Sequence, residues 1–97
     1  MLSKNEIITF LTKSKPELQA RFGVTQLSLF GSYARNTATV TSDIDILVAF
    51  DGAATSSRYF GVFFFLEDLL GWSVDLVTEK ALRQELRPFI EPELLHV

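Results

Sequence analysis

Residues Leu29 to Phe50 read LFGSYARNTATVTSDIDILVAF, and the second half of that stretch carries two acids in phase. Asp43 and Asp45 alternate with Ile44, Ile46 and Val48. Successive side chains of a strand point to opposite faces, so this pattern predicts a strand with one apolar face. The two acids share the other face, their roots about 7 Å apart by the rise of a strand. Carboxylates on a central strand are costly unless paired, neutralised or bound to a cation.

The flanking sequence supplies the context. Upstream, VTQLSLFG (Val24 to Gly31) reads as a strand, and SYARN as a short helical turn entered from it. TATVTS is a polar, β-branched loop. Downstream, DGAATSS is a loop and Arg58 to Gly71 is long enough for a helix closed by glycine. SVDLVT, Ser73 to Thr78, predicts a third strand, in which Asp75 lies between Val74 and Leu76. At the front, Ser3 and Glu6 form a capping-box pattern. The first helix is expected to run to about Ser14, with Pro16 opening a second helical turn and Gly23 capping it. The last segment, EKALRQELRPFIEPELLHV, reads as mostly helix interrupted near Pro88 and Pro92. The order α-β-α-β-α-β-α predicts an α/β (α+β) single domain, residues 1–97, with a mixed sheet flanked by helices.

Composition narrows the function. The chain has 97 residues, 47% of them apolar, which excludes a disordered tail. With no cysteine, disulfides and thiolate metal sites are excluded. The first residues lack the apolar core of a signal peptide, and no apolar run approaches the length of a membrane span, so the cytoplasm is the expected location. The net charge is −3, and nine Lys and Arg are spread along the chain. That argues against a nucleic-acid backbone as direct partner. It leaves room for a nucleoside triphosphate held through metal ions.

If the second and third strands are neighbours, Asp75 joins Asp43 and Asp45 on one face. Three crowded carboxylates repel, and divalent cations would reverse the sign. Oxygen ligands without His or Cys suit Mg²⁺ or Mn²⁺. Two such ions about 4 Å apart stabilise the attacking and leaving oxygens of a phosphoryl or nucleotidyl transfer. Gly31 lets a phosphate come close to the backbone, the Ser32 hydroxyl offers a donor, and Arg35 lies one helical turn on. Each piece alone has a plainer reading: a turn, a strand edge, a surface arginine. The combination of strand, Gly-Ser turn, in-phase acids and a third acid on another strand is what carries the argument.

These residues resemble the signature of the DNA polymerase β-like nucleotidyltransferase superfamily. More narrowly, GSYAR…SDIDILV resembles the minimal nucleotidyltransferase (MNT) antitoxins encoded beside HEPN-domain toxins. The resemblance implies the polymerase β-like fold, with Gly31 and Ser32 at the end of the first strand holding the β- and γ-phosphates of ATP. It implies Asp43, Asp45 and Asp75 as the catalytic acids at two Mg²⁺ ions, Asp43 and Asp45 as metal ligands and Asp75 as a metal ligand or the base that takes the acceptor's proton, with Arg35 and Ser42 added to the nucleotide-binding set. It also implies transfer of AMP from ATP to a tyrosine of a HEPN toxin. One departure stands out: Asn36 occupies a position that is often glycine in the family, and Asn tolerates left-handed backbone.

Three readings of function follow: an enzyme of this kind, a catalytically silent antitoxin that acts by binding alone, and a small-molecule nucleotidyltransferase. The last usually carries an additional helical domain. On the Arg58–Gly71 helix, Tyr59, Val62, Phe63, Leu66, Leu69 and Leu70 share one face, expected to be core. Phe60 and Phe64 fall outside it, which suits either a protein interface or cover by a terminal helix. Trp72 reads as core edge, Glu91 and Glu93 as solvated charges, and His96 as non-catalytic. Tyr33 fits either near the nucleotide or against the first helix.

Overall fold

The first helix begins on reciprocal hydrogen bonds. The Ser3 hydroxyl accepts from the Glu6 amide at 3.1 Å, and the Glu6 carboxylate accepts from the Ser3 amide at 3.0 Å. In a computed structural model describing residues 1–97, this helix, α1, runs Lys4–Phe22 without a break. The expected stop at Ser14 is therefore corrected: Pro16 lies inside one helix. The apolar stripe explains why. Ile7, Leu11 and Leu18 are fully buried, and Ser14 with them, at helical spacing through the proline. Burying each such Leu or Ile contributes about 1.5–3 kcal/mol, enough to offset one lost backbone hydrogen bond. Gly23 ends the helix at φ 73°, its amide donating to the Gln19 carbonyl at 3.0 Å.

The strands are β1 (Val24–Phe30), β2 (Ile44–Phe50), β3 (Val74–Thr78) and β4 (Leu95–His96), in the order β3-β2-β1-β4. β1 is antiparallel to β2 and β4, while β2 and β3 are parallel. A parallel pair needs a long crossover, and α3 (Ser56–Leu70) supplies it. The Thr55 hydroxyl caps α3 and Gly71 closes it at φ 62°. α1 and α3 cover one face of the sheet, where Ile44, Ile46 and Val48 meet Leu27, Leu29, Val62 and Leu66 in a single core. The expected core face of α3 is borne out: Val62, Leu66 and Leu70 are buried, and Tyr59, Phe63 and Leu69 partly so. Phe60 and Phe64 are exposed, their rings stacked with centroids 6.3 Å apart. No helix packs over them, because the chain's last segment lies on the other face of the sheet.

That last segment is the second correction. It is not mostly helix. It forms two 3-10 turns (Glu79–Ala81 and Gln84–Leu86), a four-residue helix α4 (Arg87–Ile90), a third 3-10 turn (Glu91–Glu93) and β4. Pro88 and Pro92 each remove a backbone donor, which limits helix to single turns. β1 meanwhile has a free edge, and Leu95 and His96 pair with Leu29 and Ser28 along it. The Val97 amide donates to the Leu27 carbonyl at 3.1 Å and Lys15 Nζ donates to the Val97 carbonyl at 2.6 Å. Leu82, Ile90 and Leu94 close over Phe30 and Leu47 as a small second core. No helix is long and apolar enough to cross a membrane.

Pro16 is exposed, so its ring contributes little packing. Pro16→Ala should restore the Thr12 carbonyl's partner and raise stability by about 1–3 kcal/mol. Urea unfolding of the two proteins checks this; an unchanged or lower midpoint would show that the proline is not under strain.

Candidate active site

The strand register brings the acids together. Asp45 of β2 stands directly opposite Asp75 of β3, on strands about 4.8 Å apart. The sequence left the adjacency of these strands open, and the register closes it. Asp43 lies one residue before β2, exposed at the mouth of the same face. Asp45 is part-buried and Asp75 exposed. Burial pushes the Asp45 carboxyl up to about 6, and the negative charges of Asp75 and Asp43 push the same way. A hydrogen bond shared with Asp75 adds to this, while the Arg35 charge opposes it. The three carboxylates are not gathered around a common point. The donor set consists of hard carboxylate oxygens with an excess of negative charge, which fits Mg²⁺ or Mn²⁺.

Gly31 opens α2 (Gly31–Ala34) directly after β1. Its φ is +74°, and a Cβ there would collide with the Asp45 carboxylate. Both facts require glycine, since an L side chain would meet backbone strain and a charged wall. Ser32 is part-exposed beside it. Asn36 takes φ 60°, as its expected tolerance of left-handed backbone requires, and the Thr37 amide donates to the Ser32 carbonyl at 2.9 Å.

Three contacts fix the segment leading into Asp43. Trp72 Nε1 donates to the Ser42 carbonyl at 2.8 Å, the Ser42 hydroxyl accepts from the Thr39 amide at 2.9 Å, and the Ile44 amide donates to Ser73 at 2.9 Å. Trp72 is thus the core edge that the sequence indicated, and Ser42 is occupied in shaping the loop. β3 is held by Glu67, whose carboxylate accepts from the Val74 amide at 3.0 Å, and by the Tyr59 hydroxyl, which donates to Leu76 at 2.6 Å. Burial, and the Asp75 charge after it, raise the Tyr59 pKa.

Arg35 sits at the edge of the site, but its guanidinium is turned to Glu93, with Nη1 at 3.1 and 3.0 Å from the two carboxylate oxygens. The Gly31 amide donates to the same carboxylate at 3.1 Å. Glu93 is therefore not the solvated charge expected of it; its side chain is 21% exposed. No local pattern reports a contact between residues so far apart in sequence. Glu91 does remain on the surface, 3.5 Å from Arg87. Tyr33 resolves toward the first helix: it is 3% exposed within the main core. His96 accepts or donates at 2.6 Å with Ser28 along the β4 edge, away from the acids. A cavity of about 270 Å³ lies under the last segment, lined by Gln26, Leu47 and Arg87 among others, and includes none of the three aspartates. Its arginine is engaged by Glu79 and Glu91. Asp43 and Asp75 are exposed, and Asp45 is part-buried beside them.

The chain is 39% identical to the protein adenylyltransferase MntA of Thermococcus cleftensis over 97 residues, covering 100% of this chain and 98% of that protein. Its fold matches a candidate minimal nucleotidyltransferase with a TM-score of 0.75 at 35% identity, over 92% of this chain and 93% of that one. It also matches a chain of a toxin–antitoxin complex solved with AMP-PNP, with a TM-score of 0.60 at 29% identity, over 88% of this chain and 64% of that one. The sequence model of the Nucleotidyltransferase domain matches residues 11–95, which span both acid-bearing strands and the Gly31 turn, and the chain belongs to that family.

Proposed function

We propose that this nucleotidyltransferase moves AMP from ATP to a tyrosine hydroxyl of a HEPN-type toxin and so acts as its antitoxin. The observation that carries the reading is Asp45 facing Asp75 across paired strands beneath the Gly31 turn. Similarity to an adenylyltransferase and to a toxin–antitoxin complex that holds an ATP analogue supports the same substrates. Asp43, Asp45 and Asp75 would hold Mg²⁺, whose charge neutralises a triphosphate and eases the departure of pyrophosphate. The bare Cα of Gly31 makes room for the Asp45 carboxylate beneath the turn, and the Ser32 hydroxyl beside it donates to a phosphate. Asp75, the exposed member of the facing pair, takes the proton from the attacking hydroxyl. The new bond joins that oxygen to the α-phosphorus, and the bond to the β-phosphate oxygen breaks. The acids lie open on the sheet, so the acceptor is positioned by the partner protein, and positioning supplies much of the rate.

The transfer test mixes the protein with labelled ATP, Mg²⁺ and the toxin encoded beside it. Asp43→Asn and Asp45→Asn should each lower labelling by roughly 100-fold or more, the scale of losing a preorganised charge at a reacting centre. If both variants still neutralise the toxin as the wild type does, the protein acts by contact and not by chemistry.

Asp45 also makes a prediction about stability. Its folded-state pKa is raised from 3.8 to about 6. Folding therefore favours its protonated form, and that contribution is complete below about 3.8 and lost as pH rises through about 6. Without divalent ions, the wild type should lose stability between pH 4 and 7.5, most of it below about pH 6, while Asp45→Asn lacks this slope. The variant should gain about 1 kcal/mol at pH 7.5, after allowance for solvent at a part-exposed group. Mg²⁺ should raise the melting temperature of the wild type and not of the variant. Melting curves at both pH values, with and without Mg²⁺, decide the matter; parallel profiles for the two proteins would remove the repulsion from the account.

A further inference from the structure

The carboxylate of Glu93 occupies an unusual place. It accepts from the Gly31 amide at 3.1 Å and from Arg35 at 3.1 and 3.0 Å, and its side chain, 21% exposed, is the least exposed carboxylate in any ion pair of the chain. A backbone donor and a guanidinium on one shielded carboxylate form a stronger tie than a surface ion pair. The tie reaches from the last segment to the turn packed against Asp45, since Gly31 has no room for a Cβ beside that acid.

Two things anchor Glu93 itself. It ends the 3-10 turn that contains Pro92, and only Leu94 separates it from β4. β4 is paired with β1 at Ser28 and Leu29 and followed by the Val97–Leu27 hydrogen bond. The carboxylate cannot leave Gly31 by more than a side-chain rotation unless that edge comes apart.

We infer that Glu93 is a positioning residue for nucleotide binding: it fixes the orientation of the Gly31 peptide above Asp45 and holds the Arg35 guanidinium away from the acid cluster. This deepens the nucleotidyl-transfer reading above and rests on it. The Arg35 charge is close enough to Asp45 to act on it. Released from Glu93, the guanidinium would have three uncompensated carboxylates nearby, and pairing with them would compete with divalent ions for the same oxygens. With Glu93 in place, Arg35 is already neutralised and the acids remain available. The Gly31 amide is likewise committed, which leaves the Ser32 hydroxyl as the side-chain donor for phosphate. Arg35 then serves the nucleotide through its pairing and not by reaching a phosphate.

The rival is a plug: a carboxylate that sits where a phosphate belongs and has to be displaced. The two make opposite predictions. Isothermal titration of AMP-PNP with Mg²⁺ into the full-length protein would compare wild type, Glu93→Ala, Glu93→Gln and the double variant Glu93→Ala/Arg35→Ala. Labelling of the toxin at varied ATP would give KM and kcat for each. Glu93→Ala should bind AMP-PNP about tenfold more weakly, the scale of one hydrogen bond to a charged group, and KM should rise more than kcat falls. Glu93→Gln keeps an acceptor for Gly31 but loses the charge, and should fall between. Removing Arg35 as well should recover part of the binding lost in Glu93→Ala, because no freed guanidinium then competes for the acids. Tighter binding by Glu93→Ala would overturn the inference in favour of the plug. Unchanged binding alongside a lower melting temperature would reduce Glu93 to a structural tie. Should Glu93→Ala fail to fold, Glu93→Gln carries the same comparison. Failure of the wild type to bind AMP-PNP would remove the nucleotidyl-transfer reading itself, and this inference with it.

Discussion

The parallel pairing of β2 and β3 sets Asp45 against Asp75, and the rest of the molecule is arranged around that contact. Like charges directly across two strands are destabilising. Neither acid can turn away, because each stands back to back with core. Asp45 lies between Ile44 and Ile46, both fully buried, and Asp75 lies between the buried Val74 and Leu76. Rotating a carboxylate off this face would drag apolar residues out of the opposite one. The crossover helix α3 holds the pairing through Val62, Leu66 and Leu70, through Glu67 on the Val74 amide and through Tyr59 on the Leu76 carbonyl. Apolar burial on one side of the sheet thus holds an unfavourable electrostatic arrangement on the other.

The parts of this that the sequence declared are those with a short period or a rigid local rule. Alternation in Asp43 to Val48 marks a strand and its faces. A capping box needs only Ser3 and Glu6. The 3.6-residue repeat of α3 separates Val62 and Leu66 from the exposed Phe60 and Phe64. The left-handed Asn36 follows from the chemistry of its side chain. The parts that stayed hidden depend on tertiary competition. Pro16 reads as a break until Leu18 is seen to continue the buried stripe of Ile7 and Leu11. β4 is two residues long, too short for alternation to register, and exists because β1 offers an unpaired edge. Glu93 meets Gly31 and Arg35 across most of the chain, and no spacing rule reaches that far.

The turn above the acids is rigid for reasons independent of any ligand. Gly31 is pressed against Asp45, Trp72 holds the Ser42 carbonyl, and the Thr39 amide is closed onto the Ser42 hydroxyl. A site fixed in this way does not have to lose backbone freedom when a substrate arrives, and preorganisation of charge and donors is the larger part of what such sites contribute. Trp72 and Ser42 contribute here through the backbone they hold in place.

The depth of burial completes the argument. Asp45 is part-buried, paired in register with the buried Phe30 of β1, and Asp43 beyond it is exposed. That is enough desolvation to raise its pKa to about 6. A carboxylate of that pKa is still mostly ionised at neutral pH, so a cation does not have to expel a full proton to bind. Deeper burial would raise the pKa further and leave a neutral acid, a poor ligand for a hard ion. Full exposure would remove the repulsion that makes a cation favourable in the first place. The intermediate position leaves Asp45 charged and facing like charges, so the repulsion that costs the fold stability is the same feature that a bound cation would relieve.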